Sequence, residues 1–459
     1  MELDSCEYAP ASWPRRTIGE VCKRFTSGGT PSRSKPEFYG GDIPWVKTKE
    51  LTDGMLWSTE ECITYAGLAN SSAKLLPAGT ILMAMYGATV GKLARLGREM
   101  ACNQACAAMV VDTSQADASY LYFQLKLNRR RIVSSATGAA QQNLSGQQIK
   151  NFILPFPEVG EQTRIGNLLV SLDDKIELNR RMNETLEAMA QAIFRDWFVD
   201  FGPVRRKLAG ETDPVAIMGG LTPDPAHAGE LTALFPDAFD ANDLPEGFEL
   251  CCLEDTVSIL ETGRRPKGGI KGILTGVPSI GAESIVGLAK FDYGKTKYVP
   301  RDFFASMKRG VIGDRDIVLY KDGGRPGEFE PHVGMFGAGF PFEQCCINEH
   351  VYRVEGAPPV SQAYLYLHLS SDVSMAEMRN KGTGVAIPGL NSTAAKSLII
   401  LHPGEQLLDA FTGIVRPMID AALHNANENR TLAETRDYLL PRLMSGQVRV
   451  TAHTESAAA

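Results

Sequence analysis

The feature of this sequence that most constrains its fold is a stretch in which seam residues recur at alternating steps of four and three. The stretch "TRIGNLLVSLDDKIELNRRMNETLEAMAQAIFRDWF" begins at Thr163, contains no proline and has a single glycine. A heptad pattern of this length predicts one long helix with a coiled-coil seam. The seam residues are Ile165, Leu169, Leu172, Ile176, Asn179, Asn183, Leu186, Ala190, Ile193 and Trp197.

The same seam occurs again 246 residues further along the chain. A single apolar stripe is more often the face of an ordinary core helix, but two stripes with asparagines in register favour mutual pairing. Pro417 and Pro441 interrupt the second stripe, so we expect the helix to kink or end there. The second seam consists of Phe411, Val415, Met418, Ala422, Asn425, Asn429, Leu432, Arg436, Leu439 and Leu443.

Antiparallel packing of the two helices would bring their asparagines together. A buried asparagine in such a seam fixes the register at a cost in stability. Replacement of all four asparagines by leucine is therefore expected to raise thermal stability and to loosen the pairing. The predicted helix-pairing residues are Leu172, Ile176, Asn179, Asn183 and Leu186 with Met418, Ala422, Asn425, Asn429 and Leu432.

The repeat also extends to the sequence that precedes each helix. "ATGAAQQNLSGQQIKNFILPFPEVGEQ", from Ala136, returns as "GTGVAIPGLNSTAAKSLIILHPGEQ", from Gly382. "GTILMAMYG" similarly matches "RDIVLYKDG", and the offset between copies drifts from 234 to 246 as loop lengths change. Self-similarity at this scale determines the architecture. It predicts an α+β protein with two globular domains, two long antiparallel coiled-coil helices and a pseudo-two-fold internal repeat.

The domain boundaries follow from these patterns. The segment before the second repeat is rich in Gly, Pro, Ala and Asp and has no seam, which is typical of a linker. The predicted order is a first globular domain (1–157), a first long helix (158–201), a linker (202–244), a second globular domain (245–403), a second long helix (404–446) and a tail (447–459).

Charge is unevenly distributed, although the whole chain carries a formal net charge of −7. The first domain has 17 Lys and Arg against 13 Asp and Glu, and the second has 17 against 18. Segment 158–244 has 8 against 16, so it is a poor surface for phosphate and a better one for protein contacts. These segments could equally be solvated faces, since charge alone does not separate the two interpretations.

The sequence predicts a reduced, cytoplasmic protein. Its nine cysteines include two adjacent pairs and no CxxC, which favours free thiols over a disulfide framework or a zinc site. We find no signal-peptide pattern, and the uncharged, largely apolar run "LLPAGTILMAMYGATVG" is too short to span a membrane.

We find no motif for catalysis or metal binding. "GATVGK", from Gly87, has only three residues between its glycines and is followed by Leu93, so it lacks the spacing and the hydroxyl of a phosphate loop. All seven histidines lie after residue 226 without metal-ligand spacing. The chain also lacks a GxSxG elbow, a GxGxxG loop and the tetrad of amino-methylating enzymes. We therefore expect no catalytic residues and no metal site.

The two globular domains do contain residues suited to reading DNA. Lys and Arg contact phosphates and guanine, and Asn and Gln pair with adenine. Each of these residues taken alone could be an ordinary solvated side chain. The candidate DNA-binding residues are Lys47, Lys49, Tyr86, Lys92, Gln141, Gln142 and Asn143 in the first domain, and Arg264, Arg265, Lys267, Lys271, Tyr320, Lys321 and Arg325 in the second.

Together these motifs resemble the specificity subunits of type I restriction–modification enzymes over nearly the whole chain. The resemblance rests on "SGGTPSRSKPEFYGGDIPWVK", "GTILMAMYGATVGKLA", "QQNLSGQQIKNFILPFPEVGEQ" and the first seam. The second half departs from it, since it lacks the Gly-Gly-Thr-Pro and Ile-Pro-Trp motifs.

The resemblance implies a subunit without catalysis of its own that reads a split, asymmetric double-stranded DNA target. Two methylation subunits and further restriction subunits would assemble on it, and the helices would set the spacer. S-adenosylmethionine, ATP and magnesium would belong to those partners. Two other interpretations remain: an autonomous DNA methyltransferase or nuclease, and a coiled-coil scaffold without DNA specificity.

Overall fold

The computed structural model describes residues 9–135, 143–323, 329–382 and 388–450. The chain divides into two compact units, Met1–Ile176 with Thr431–Ala459 and Glu177–Arg430. Each unit therefore contains one globular domain and a segment of both long helices, and each is described separately below.

Unit 1 is built on a five-stranded sheet with the order β2-β9-β6-β7-β4. Strands β6 and β9 are wholly buried, which is why their sequences, "ILMA" and "CAAMVV", are continuous apolar runs rather than alternating ones. A three-stranded sheet, β5-β3-β8, and the antiparallel pair β1-β10 complete the domain. The strands are β1 (Arg15–Thr17), β2 (Cys22–Ser27), β3 (Tyr39–Val46), β4 (Gly54–Leu56), β5 (Cys62–Ile63), β6 (Ile81–Ala84), β7 (Leu93–Leu96), β8 (Ala101–Cys102), β9 (Cys106–Val111) and β10 (Ile153–Pro155).

Unit 2 repeats this topology. Its main sheet has the order β12-β18-β15-β16, its three-stranded sheet the order β14-β13-β17, and β11 pairs with β19. In both three-stranded sheets the middle strand has one antiparallel and one parallel neighbour. The strands are β11 (Glu249–Cys252), β12 (Val257–Thr262), β13 (Val277–Ile280), β14 (Lys297–Val299), β15 (Asp316–Tyr320), β16 (Val333–Phe336), β17 (Cys346–Ile347), β18 (Val351–Gly356) and β19 (Ile399–His402).

The helices correspond in part between the two halves of the chain, and the second half has additional helices in segment 202–244. Those of the first half are Tyr65–Ala69, Ala118–Leu127, Arg129–Ser134, Gly146–Lys150 and the first long helix, Val159–Phe198. Those of the second half are Gly202–Leu208, Pro214–Ile217, Pro225–Ala233, Leu253–Thr256, Arg301–Ala305, Gln362–Leu369, Asp372–Lys381, Ser392–Lys396 and the second long helix, Glu405–Met444. This duplicated α+β architecture confirms the fold class predicted from the repeat.

The second long helix continues through both of its prolines, so neither Pro417 nor Pro441 ends it. Each proline removes one helical hydrogen bond. The seam residues on either side of them, such as Val415 and Leu443, are fully buried, and this packing holds the helix together across the lost bonds.

The asparagines of the two seams are hydrogen-bonded to one another within unit 2. Asn179 Nδ2 donates to Asn429 Oδ1 at 3.0 Å, and Asn425 Nδ2 donates to Asn183 Oδ1 at 2.9 Å. Asn183 Nδ2 also donates to the Ala422 carbonyl at 2.9 Å. As the residue number rises by four on one helix, it falls by four on the other, which is the register of an antiparallel pair.

The segment 202–244, which the sequence indicates as a linker, is folded within unit 2. Arg206 forms two hydrogen bonds to the Asp196 carboxylate, at 2.9 and 2.7 Å. The ring of Phe235 lies 5.1 Å from that of Trp197 on the first long helix. The apolar residues that pack here follow no regular period, so a search for helical or strand periodicity does not detect them.

Candidate nucleic-acid interface

Unit 1 contains an open cleft of about 910 Å³ formed by three segments of the chain. These are the end of β2, the turn after β6 and the residues that lead into the helix Gly146–Lys150. Leu144 N donates to the Met85 carbonyl at 2.8 Å, and Tyr86 pairs with Asn143 as an isolated β-bridge. The Tyr86 hydroxyl donates to the Gln104 carbonyl at 3.1 Å. The cleft is lined mainly by neutral polar and apolar side chains on a hydrogen-bonded frame, and Lys150 is the one charged residue among the described residues of that lining.

Unit 2 contains a cleft of about 520 Å³ formed by the corresponding three segments. Leu390 N donates to the Lys321 carbonyl at 2.7 Å, and Asp322 pairs with Gly389 as an isolated β-bridge. These contacts correspond to those of Leu144 and Tyr86 in unit 1. Unlike the first cleft, this one is lined by the charged residues Glu261, Arg309, Lys321 and Asp322.

The Asp322 carboxylate is the centre of a charged group in unit 2. It is hydrogen-bonded to Lys321 Nζ and to His350 Nδ1. Partial burial acts to raise the pKa of this carboxyl, but the hydrogen bonds from Lys321 and His350 outweigh it, so the pKa lies below its ordinary value. Asp322 is therefore ionised at neutral pH and accepts hydrogen bonds without donating any.

Lys47 and Lys49 are both paired with carboxylates in the structure. Lys47 Nζ lies 3.1 Å from Glu61 and 3.4 Å from Glu60, and Lys49 Nζ lies 2.5 Å from Glu60. Hydrogen bonds from Arg33 and then from Lys47 lower the pKa of Glu61 to about 2. These lysines thus belong to a network that neutralises them, and a phosphate would have to compete with the glutamates.

Lys92 lies beside the Gly-rich turn and also has an acidic partner. Its Nζ lies 3.2 Å from Asp53 Oδ2, and the Arg129 guanidinium contacts the other oxygen of that carboxylate. Gly87 and Gly91 take φ values of +81° and +79°, so the glycines allow a tight turn. The segment that resembles a phosphate loop is therefore an ordinary strand connection.

The basic loop of unit 2, residues 264–271, is less neutralised. Arg265 Nε lies 3.0 Å from Glu349, and the Arg264 guanidinium lies 5.8 Å from the centre of the Phe303 ring. Lys267 and Lys271 are exposed and have no ionic or hydrogen-bonding partner among the residues that the structure describes. These two lysines are therefore available for phosphate contacts.

Tyr320 is not the counterpart of Tyr86. Its ring lies between those of Phe329 and His332, at 5.4 and 5.8 Å, and burial raises the pKa of its hydroxyl. The residue that corresponds to Tyr86 is Asp322, which the sequence comparison did not select. The available signal was the pattern "YKD" opposite "AMY", which aligns correctly only when the offset is 236.

The remaining candidates fall into two groups. Asn143 and Lys321 line the two clefts, one in each unit. Gln141, Gln142 and Arg325 lie outside the described residues.

The described part of the chain contains no group of three His, Cys, Asp or Glu residues arranged to hold a metal ion. Within the same residues, no helix is both long enough and apolar enough to cross a membrane.

Comparison with known proteins identifies the class of this chain. Residues 10–188 match the model of the type I restriction modification DNA specificity domain. The chain is 23% identical to the type I restriction enzyme MjaIX specificity subunit of Methanocaldococcus jannaschii, over 96% of this chain and 94% of that protein. It is 25% identical to the HindI specificity subunit of Haemophilus influenzae, over 70% of this chain and 74% of that protein.

A solved structure shares the fold. The type I restriction–modification S subunit from M. genitalium matches with a TM-score of 0.56 and 15% identity, over 94% of this chain and 96% of that one. Residues 10–188 therefore match a type I restriction modification DNA specificity domain, and along nearly its whole length the chain is similar to a specificity subunit of a type I restriction enzyme.

Proposed function

We propose that this chain is the non-catalytic DNA-recognition subunit of a type I restriction–modification complex. The observation that carries the proposal is the duplicated cleft. Two domains of one topology present clefts on corresponding hydrogen-bonded frames, and the side chains that line the two clefts differ. A chain that reads two different half-sites needs this combination of constant framework and variable surface.

We further propose that each domain reads one half of a split, asymmetric target. Asn143 and Tyr86 offer neutral groups in one cleft, whereas Asp322 offers an anionic acceptor in the other. Identical domains would read a palindrome, so the difference between the clefts favours two unlike half-sites.

The assembly is proposed on the same basis. Two methylation subunits and further restriction subunits would bind this chain in the cytoplasm. S-adenosylmethionine, ATP and magnesium would be bound by those subunits. Three exposed apolar residues of the first long helix in unit 2, Leu178, Met182 and Met189, give a surface on which a partner could pack.

The experiment that tests the function is the mapping of methylated adenines in DNA from cells that express this chain with its methylation partner. We expect one bipartite, asymmetric target. Exchange of residues 1–157 for the first domain of another specificity subunit should change one half of that target and leave the other half intact.

Two results would contradict the proposal. Methyl transfer or cleavage by the purified chain alone would indicate an autonomous enzyme. Methylation without any sequence preference would indicate a scaffold that contributes no specificity.

A further inference from the structure

The two clefts can be superposed residue by residue through their backbone hydrogen bonds. Met85 N donates to the Ala105 carbonyl at 2.8 Å, and Lys321 N donates to the His350 carbonyl at 3.0 Å. The bonds from Leu144 to Met85 and from Leu390 to Lys321 follow the same pattern. Each framework bond of unit 1 thus has its counterpart in unit 2.

This correspondence places Tyr86 and Asp322 at the same position of the two domains. Each forms an isolated β-bridge to the residue before the buried leucine, Asn143 in one unit and Gly389 in the other. The backbone hydrogen bonds are the same at this position in both domains, so the domains differ here in the side chain that they present.

We propose that Asp322 is a base-reading residue of the second domain and that it accepts a hydrogen bond from an exocyclic amino group of the DNA. The groups of this kind in the major groove are N4 of cytosine and N6 of adenine, which donate where a carboxylate accepts. The inference rests on the proposed function, because it assigns a chemical specificity to one of the two reading surfaces.

The position of Asp322 favours a base over a phosphate as its ligand. Asp322 lies between two neighbouring clefts, and the second, of about 350 Å³, is lined by a further carboxylate, Glu283. Glu283 is ion-paired with Lys297. Lys321 and Arg309 also line the first cleft, but the carboxylate of Asp322 needs a hydrogen-bond donor, which a base amino group has and an ionised phosphate lacks.

The carboxylate of Asp322 is also held in a fixed orientation. Lys321 contacts one oxygen and His350 contacts the other, and the Asp322 side chain is only 19% exposed. A carboxylate oxygen can accept more than one hydrogen bond, so acceptor capacity remains on the exposed side. An acceptor fixed in this way loses little conformational entropy when it binds a base.

Phosphate contacts can be supplied from nearby. Glu349 joins the two regions, since its Oε1 lies 3.0 Å from Arg265 Nε and 3.4 Å from His350 Nε2. This contact places the basic loop, with the exposed Lys267 and Lys271, next to the acidic reading position. A duplex could therefore contact the loop through its backbone while Asp322 faces a base edge.

The corresponding position in unit 1 predicts a different preference. Tyr86 and Asn143 are neutral, and an asparagine amide can both donate to and accept from adenine. Exchange of Asp322 should therefore change the second half of the target only.

The test uses the full complex of this chain with its methylation partner. Methylated targets are mapped for the wild type, for Asp322→Ala and for Glu254→Ala. The last variant is a matched control, because Glu254 forms an exposed ion pair with Lys396 and does not line the cleft. Asp322→Ala removes the acceptor and should relax one position of the second half-site by about 10- to 100-fold. The control should change nothing.

Synthetic duplexes then identify the group that is read. At the relaxed position, adenine is replaced by purine or cytosine by 2-pyrimidinone, so that only the amino group is lost. The wild type should methylate the affected analogue about 10- to 100-fold more slowly. Asp322→Ala, which has no acceptor at this position, should show much less of this penalty. The base whose analogue produces the loss distinguishes adenine from cytosine.

Several outcomes would overturn the inference while leaving the proposed function intact. They are an unchanged target for Asp322→Ala, a change in the first half-site, and an equal penalty for both proteins on the analogues. Unchanged recognition of the first half-site serves as the internal control for folding. If the wild-type complex itself shows no sequence-specific methylation, the proposed function fails as well.

Discussion

The hydrogen-bonded asparagines between the long helices of unit 2 make unequal contributions, and this inequality can be tested. Asn183 donates to the Ala422 carbonyl and accepts from Asn425, and both asparagine side chains are buried. Asn179 is also buried, but its Oδ1 has no partner within the part of the chain that the structure describes. We therefore expect Asn183→Leu to be costly and Asn179→Leu to be nearly neutral.

The magnitudes follow from what each substitution leaves behind. Asn183→Leu strands the amide of Asn425, which is only 7% exposed, and a buried polar group without a partner costs about 1–3 kcal/mol. Asn179→Leu removes an unpartnered oxygen, and the groups it abandons, on Asn429 and Glu428, are partly exposed and can bind water. Its effect on the free energy of unfolding is expected within about 0.5 kcal/mol of zero.

The double substitution Asn183→Leu/Asn425→Leu removes both partners together. Replacement of a buried hydrogen-bonded pair by apolar groups of similar shape is nearly neutral or stabilising. The sum of the losses from the two single substitutions should therefore exceed the loss from the double substitution by about 1–3 kcal/mol, which is the coupling free energy of the pair. By the same argument, the variant with all four asparagines replaced should be at least as stable as the wild type.

Two measurements are needed. Urea unfolding gives the free energy of unfolding of the chain, and hydrogen exchange in peptides from 177–198 reports on unit 2 specifically. Asn167→Leu provides a control on the same helix, because Asn167 is exposed. Equal effects of Asn183→Leu and Asn179→Leu would refute the reasoning, and so would additive effects in the Asn183/Asn425 cycle.

Three further predictions concern the core of unit 2. Burial lowers the pKa of His368 from 6.5 to about 4, so the folded protein binds fewer protons than the unfolded one. The free energy of unfolding should keep its full value above pH 6.5 and fall by on the order of 3 kcal/mol as the pH drops towards 4. Urea titrations at several pH values test this, and His368→Gln should lack most of the loss seen in the wild type. Gly263→Ala should cost more than about 2 kcal/mol by urea unfolding, because its Cβ would lie 1.7 Å from the Ile347 carbonyl oxygen; Gly268→Ala, which meets no atom within 4 Å, should lose only the smaller cost of its positive φ. Arg353→Met should lower the free energy of unfolding by about 3–5 kcal/mol, because it leaves Asp316 buried without its cation. The double variant Arg353→Met/Asp316→Leu should recover much of this loss in the same assay. Equal losses for the single and the double variant would contradict this prediction.

Much of the architecture was predictable from the sequence because it depends on local periodicity. The heptad steps from Ile165 to Trp197 place every seam residue on one face of a helix, and all of them are buried or half-buried. The uniformly apolar sequences of β6 and β9 likewise indicate strands that are covered on both faces. Duplication of these patterns was sufficient to predict two domains of one topology.

The reading surfaces were less predictable because they depend on contacts between distant segments. Lys47 has the chemistry of a phosphate ligand, but its glutamate partners lie just before β5, and only the fold brings Glu61 within 3.1 Å of it and Glu60 within 3.4 Å. The match of "GTILMAMYG" with "RDIVLYKDG" places Asp322 opposite Tyr86, but Asp322 was not among the DNA-binding residues predicted from the sequence. Backbone hydrogen bonds identify Asp322 as the true counterpart.

The sequence by itself therefore determined the repeated helices, the class of fold and the resemblance to type I specificity subunits, because these follow from residue order along single elements. Only the tertiary structure decided which charges are neutralised, that segment 202–244 joins the core, and that Tyr86 and Asp322 are held on equivalent hydrogen-bonded frames. The physical reason is that these properties depend on contacts between segments far apart in the chain, and such contacts leave no period in the sequence.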